Sequence, residues 1–256
     1  MKSVAAVGNF AGMTAHAASS QVPDISHDHP DVTGGWLRPA VFGAMDGLVS
    51  NVALIAGVAG GTQDHTDSKA VVLAGLAGLA AGAFSMAAGE YTSVASQTEA
   101  AQREIEKERR EILANPVAET SELAEMYVDK GLSPELAAEV ARQIHVDVNN
   151  AVSVHAREEL GVDPDDLASP RLAAGSSFLS FAVGALLPVL PYLLGAQTLL
   201  PALIVPLVAL FVCGAVVTQL TSRPWWYGGA RQTLLGAAAA GATYLIGGLV
   251  AGAGIG

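Results

Sequence analysis

Cysteine is nearly absent from this 256-residue chain, and the single thiol, Cys213, excludes an internal disulfide framework and any zinc or iron–sulfur site built from several cysteines. Charge is scarce as well. Asp, Glu, Lys and Arg together supply 14% of the residues and hydrophobic types 51%, whereas an ordinary soluble domain is about 25% charged. With a mean hydropathy of +0.42, the composition is that of a membrane protein. Basic residues are the rarer sign, 13 against 24 acidic for a net charge of −11, so nucleic acid is excluded as a partner. Also missing is any Glu-x-x-His pair: none of the six histidines has Glu three positions before it. A ferritin-type di-iron oxidase needs such pairs, so redox catalysis is disfavoured and no enzyme is expected.

The charge that is present is concentrated. Residues 92–170 hold 17 of the 24 acidic residues and 7 of the 13 basic ones. The flanks contain five apolar stretches, roughly 36–61, 70–91, 172–194, 199–221 and 231–253, each near the 20 or so residues that cross a bilayer. The expected fold is therefore an all-α membrane protein with five transmembrane helices and a polar three-helix domain inserted between the second and third. Residues 1–35 read as a flexible tail rather than a signal peptide, because Gly8 and Asn9 interrupt a weak apolar core. Residues 36–91 carry the first two spans, 92–170 the insert and 171–256 the last three.

Arg38, Arg171, Arg223, Arg231 and the bases of the insert fall on one side of a five-span arrangement, and Lys69 falls in a loop on the other. The positive-inside rule then makes the N-terminus and the insert cytosolic and puts the C-terminus across the membrane. Trp36, Tyr91, Trp225, Trp226 and Tyr227 fall at the same boundary, where aromatic rings anchor in the headgroup layer.

Within the insert, Thr92 to Leu113 lacks Pro and Gly, so the second span should continue outward as one rod until Asn115-Pro116. A second helix is expected over about 117–130 and a third from the Ser133-Pro134 start signal to about Leu160, around a small core of Leu123, Tyr127, Leu136, Val140, Ile144 and Val148. Two carboxylate pairs, Glu108/Glu111 and Glu119/Glu122, share the i,i+3 spacing that puts both members on one helix face. Pro116 turns the chain between them, and the third helix offers His155 and Glu159 at i,i+4. Carboxylates and an imidazole at a common point suit a divalent first-row metal, because clustered anions otherwise repel. Binding there should weaken as pH falls toward ordinary carboxylate values of about 4. A further cluster, His27/Asp28/His29, reads as part of the solvated tail.

Two ionisable groups fall within the spans. Asp46 lies ten residues beyond Trp36, which is about 15 Å into a core about 30 Å thick. A carboxylate near the midplane is costly unless protonated, paired or hydrated, so a functional role is its default reading. Gly43 and Gly47 flank it at the spacing that permits close helix approach, with Ser50 and Asn51 a turn further on. On the second span Gly82, Met86 and Glu90 share a face, with Glu90 at the cytosolic mouth. A thioether between two carboxylates favours Fe²⁺ or Mn²⁺ over Ca²⁺ or Mg²⁺. A carboxylate holds either a metal or a proton, which is the simplest basis for metal–proton antiport. Pro188 and Pro191 in the third span, and Pro201 and Pro206 in the fourth, can free carbonyls to line a cavity or merely shape packing.

Taken together, Asp46-Gly47, the run Ser85-Met86-Ala87-Ala88-Gly89-Glu90-Tyr91, the Glu108/Glu111 and Glu119/Glu122 pairs, the run from His155 through Glu158-Glu159-Leu160-Gly161, and Pro188-Val189-Leu190-Pro191-Tyr192 resemble the vacuolar iron transporter family, in its bacterial type, over about residues 36–253. The resemblance implies a homodimer of five-span subunits that exports Fe²⁺ from the cytosol in exchange for protons, here from a bacterium across its plasma membrane. It implies Asp46 and Met86 as translocation ligands and Glu108, Glu111, Glu119, Glu122 and Glu159 as cytosolic metal ligands, without a prosthetic group. Glu90 and His155 are added from geometry. Where plant members carry Met on the third cytosolic helix, this chain has His155-Ala156, a departure that bears on Fe²⁺ against Mn²⁺. A membrane-anchored metal buffer or sensor, without transport, is the alternative reading of the acidic insert.

Overall fold

A computed structural model describes residues 35–62, 68–218 and 223–254. The tail with His27, Asp28 and His29 lies outside the described residues. Among those described there are eight helices and no strand: α1 (Leu37–Gly61), α2 (Ser68–Ala114), α3 (Pro116–Asp129), α4 (Pro134–Ile144), α5 (Val148–Glu159), α6 (Pro170–Leu193), α7 (Leu199–Val217) and α8 (Trp225–Gly252). Five of them, α1, α2, α6, α7 and α8, are long and apolar enough to cross a membrane. Lipid-facing helices must satisfy all their backbone groups internally, which is why these apolar runs form helices throughout.

Helix α1 is the hub of the apolar bundle and packs against α2, α6, α7 and α8. Its contact with α6 is backbone against backbone: a Cβ on Gly47 would run into the Phe181 carbonyl, and one on Gly184 into that of Ala44. Without a hydrophobic force between helices in lipid, such close approach is what holds them together. A buried cluster of Ile55, Val71, Val189, Tyr192 and Ala202 joins α1, α2, α6 and α7. Pro188 and Pro206 are fully buried inside α6 and α7, where they belong to packing. Large apolar side chains cover the outside, among them Leu73, Phe84, Leu179, Leu200, Leu234 and Leu249.

Helix α2 is the unbroken rod that its sequence predicts, 47 residues long, or about 70 Å. It ends before Pro116, which occupies the first turn of α3. Helix α8 begins at Trp225, so the three aromatic residues 225–227 form its first turn and Arg231 lies inside it. All five expected boundary aromatics are exposed by 44% or more, as interfacial anchors are.

The polar domain differs from expectation in its third segment. Instead of one helix from 134 to about 160, α4 and α5 are separated by His145-Val146-Asp147. Asp147 caps α5 by accepting from the backbone N–H groups of Asn149 and Asn150, and the Asn150 amide donates back to the Ile144 carbonyl at the end of α4. Short polar side chains that bond the local backbone in this way compete with helix continuation. The core shifts accordingly. Ile112, Ala151 and Val152 pack with Ile105, Val148 and, from the end of α4, Ile144, where α2 meets α5. Leu123, Ala137 and Ala141 are fully buried where α3 meets α4. Leu136, expected inside, is 54% exposed, because it rides the opposite face of α4 from Ala137 and Ala141. Lys130 pairs with Glu158, fastening the end of α3 to α5.

Candidate metal centre

The outer half of α2, the start of α3 and the middle of α5 converge on one point. Glu108, Glu119 and His155 each present a ligand atom within 4.8 Å of the others. His155 is fully buried and Glu108 is 7% exposed. The His155 Nδ1 lies 2.6 Å from Glu159 Oε1 and 3.0 Å from Glu108 Oε1. Glu108 Oε1 is nevertheless without a hydrogen bond of its own, and a buried acceptor in that condition is costly unless something fills its place. Oxygen and imidazole donors around such an orphan are a donor set that fits a divalent first-row cation.

Electrostatics point the same way. Burial first, and then the neighbouring Glu159 carboxylate, push Glu108 from an ordinary 4.5 up to about 7, against the pull of His155. Glu119 is raised by burial and then by Glu122. Glu111 lies at the edge, 3.7 Å from Lys107, and Glu122 is exposed on the outer face of α3. Both act on the centre by charge, since each raises a carboxyl in it. The structure thus gathers Glu108, Glu119, His155 and Glu159 tightly, with Glu111 and Glu122 as an outer ring.

Sequence reasoning passed over His145. It sits at the break between α4 and α5, with its Nε2 3.3 Å from the His155 Nε2. The signal was available in Asp147 two residues on, a cap residue that ends α4 where the histidine stands.

Inside the apolar bundle, Asp46, Ser50, Asn51, Ser85, Met86 and Phe181 line a cavity of about 200 Å³. Asp46 and Met86 therefore face a common space from α1 and α2. The Ser50 hydroxyl donates to Asp46 Oδ1 at 2.6 Å. Asn51 is 2% exposed. Its amide nitrogen donates to the Gly75 carbonyl on α2 and the Ala185 carbonyl on α6, at 3.2 and 2.5 Å, so one side chain ties three helices beside the cavity. Glu90, one turn beyond Met86 toward the polar domain, does not line this cavity.

Five membrane-length helices, a polar cavity between two of them and a carboxylate–imidazole centre on an extension of one define an integral membrane protein that handles cations. The VIT family profile matches residues 37–248, and the chain belongs to the VIT family, whose curated members are named as transporters rather than enzymes. It is 38% identical over 223 residues to the vacuolar iron transporter of Acanthamoeba castellanii, covering 84% of this chain and 78% of the relative. It is 32% identical over 224 residues to vacuolar iron transporter 1 of Oryza sativa, covering 85% and 88%, and 29% identical to vacuolar iron transporter 1 of Arabidopsis thaliana, covering 86% and 88%.

Proposed function

We propose that this protein is a metal–proton antiporter that carries Fe²⁺, and by the same chemistry Mn²⁺, out of the cytosol, loading it first at the Glu108/Glu119/His155 centre. The observation that carries the reading is the continuity of α2. The same helix bears Glu108 at the polar centre and Met86 at the cavity, about 33 Å apart along its axis. Glu90 lies between them on that helix, at the mouth of the route.

The chemistry at each end supports the direction. Glu108, Glu119 and His155, with Glu159 beside them and Glu111 and Glu122 around them, form a negative antechamber that concentrates divalent cations. In the bundle, Asp46 can neutralise a metal or take a proton, and the two are exclusive. Met86 adds a soft donor that favours first-row transition ions over Mg²⁺. The distribution of Arg38, Arg171, Arg223 and Arg231 supports a cytosolic polar domain, with the C-terminus on the far side. The domain limits 36–91, 92–170 and 171–256 follow, and the membrane is the bacterial plasma membrane. A homodimer would cover the exposed α1–α2 face at Ser50 and Ser85 and close the cavity laterally; light scattering in detergent should then give the mass of two chains.

Metal uptake into proteoliposomes with an imposed proton gradient tests the reading. Wild type should accumulate Fe²⁺, and Asp46→Ala should abolish flux while leaving metal binding at the polar centre intact. Normal transport by Asp46→Ala would refute the assignment. Binding without flux in wild type would instead support the buffer or sensor, a reading that rests on the polar centre alone.

A further inference from the structure

We infer that His145 is a positioning residue for the metal ligand His155, fixing its tautomer so that Nδ1 presents a lone pair to the cation; the inference rests on the capture-site reading above. His145 Nδ1 lies 2.9 Å from the Ala141 carbonyl on α4. A carbonyl oxygen only accepts, so this nitrogen carries hydrogen, and in the neutral ring Nε2 is the bare acceptor. That acceptor faces His155 Nε2 at 3.3 Å, with the two rings nearly perpendicular at 87° and their centroids 5.1 Å apart. His155 Nε2–H then donates to His145, and the lone pair of His155 falls on Nδ1.

Nδ1 is the nitrogen turned to the carboxylates, at hydrogen-bond distance, 2.6 Å, from Glu159 Oε1 and 3.0 Å from Glu108 Oε1; the proton held in that contact in the metal-free protein is the one a bound cation displaces. Once that proton leaves, a lone pair on the fully buried His155 ring, an oxygen of the nearly buried Glu108 and one of the partly exposed Glu159 are a set of acceptors that a cation satisfies. The opposite tautomer of His155 would aim its hydrogen at the cation and set two bare Nε2 atoms against each other, that of His155 on a fully buried ring. His145 disfavours it. Metal-binding histidines almost always donate from their other nitrogen to a fixed acceptor, which orients the ring; here the acceptor is an imidazole that a helix carbonyl holds in register. It explains the break between α4 and α5: a continuous helix would carry position 145 away from His155, whereas the turn capped by Asp147 lays the two rings together.

The test uses the full-length protein in detergent with Mn²⁺ as a paramagnetic probe. Calorimetry gives its affinity, and pulsed electron paramagnetic resonance reads the coupling of a directly bonded imidazole nitrogen. His145→Phe keeps a ring but removes the acceptor. We expect Mn²⁺ affinity to fall about 10- to 100-fold and the nitrogen coupling to diminish at saturating Mn²⁺, while His145→Gln, whose amide oxygen can accept, restores both. Wild-type affinity and coupling in His145→Phe would overturn the proposal. So would a loss of affinity with the coupling unchanged and no rescue by Gln, since that is what a purely structural role produces. Should Phe fail to fold, His145→Ala against His145→Gln decides on the same two readouts. If wild type shows no nitrogen coupling and His155→Ala leaves affinity unchanged, the capture site itself fails; coupling in wild type that is indifferent to position 145 overturns only the role of His145.

Discussion

Acidification from about pH 8 to about pH 5 should strip metal from the polar centre well before ordinary carboxylates titrate, and Glu108 sets where this begins. In the metal-free protein its carboxyl is held at about 7, with burial as the main cause and Glu159 next. A cation bound there requires the ionised form, so below about pH 7 a proton competes for the site and affinity falls up to about tenfold per pH unit from this group alone. At pH 5 the loss approaches about a hundredfold. The sign for folding is the reverse. A carboxyl whose value is raised from 4.5 binds more protons folded than unfolded between 4.5 and about 7. The metal-free protein is then most stable, as far as this group goes, below 4.5, and loses that contribution progressively up to about pH 7. Metal binding above pH 7 offsets that cost. Calorimetric Mn²⁺ titrations of the full-length protein across this range, in buffers of different ionisation enthalpy, give both the affinity and the proton released. Glu108→Gln should bind more weakly and lose the step near pH 7. Affinity that is flat from pH 8 to pH 5, or a decline that begins only near pH 4 in wild type, would refute the reasoning.

Other consequences follow from packing. Leu123→Ala empties a fully buried position in the polar domain and should cost about 2–5 kcal/mol, read as an earlier thermal transition and weaker Mn²⁺ binding because α3 carries Glu119; an unchanged transition would contradict the packing. Gly47→Val drives a side chain into the Phe181 carbonyl of α6 and should cost about 1–3 kcal/mol, with the loss of a sharp thermal transition in detergent; wild-type melting would show that α1 and α6 do not touch there. Asn51→Leu removes the donor shared by Gly75 and Ala185 and should cost about 0.6–1.7 kcal/mol; melting no lower than wild type would remove Asn51 as a tie between helices.

The apolar helices were legible from sequence because lipid leaves no alternative to a helix of a given length, and α2 was legible as a rod because no residue between Thr92 and Leu113 can stop one. The gathering of Glu108, Glu119, His155 and Glu159 followed from i,i+3 and i,i+4 spacing together with the turn at Pro116. What spacing did not give was the partition between tight centre and outer ring. That depends on which face of each helix meets the others, and Glu111 and Glu122 ended outside. Nor did periodicity reveal the interruption at 145–147, where the Asp147 cap outweighs an apolar pattern that continues through it. His145 was missed for that reason, and with it the second imidazole. The expectation that metal binding would titrate near pH 4 took solvated carboxylates as its reference, and burial moves Glu108 well above it. Asn51 looked like a polar residue near Asp46, but its role as a three-helix tie is a tertiary fact.

Simultaneous recording of metal and proton movement in one set of proteoliposomes, with Fe²⁺ outside under anaerobic conditions and a pH-sensitive dye inside, bears most directly on exchange at Asp46. Fe²⁺ entry should be accompanied by proton exit in wild type, with both signals lost together in Asp46→Asn. Metal entry that leaves internal pH unchanged, or proton movement that persists in the variant, would contradict the account.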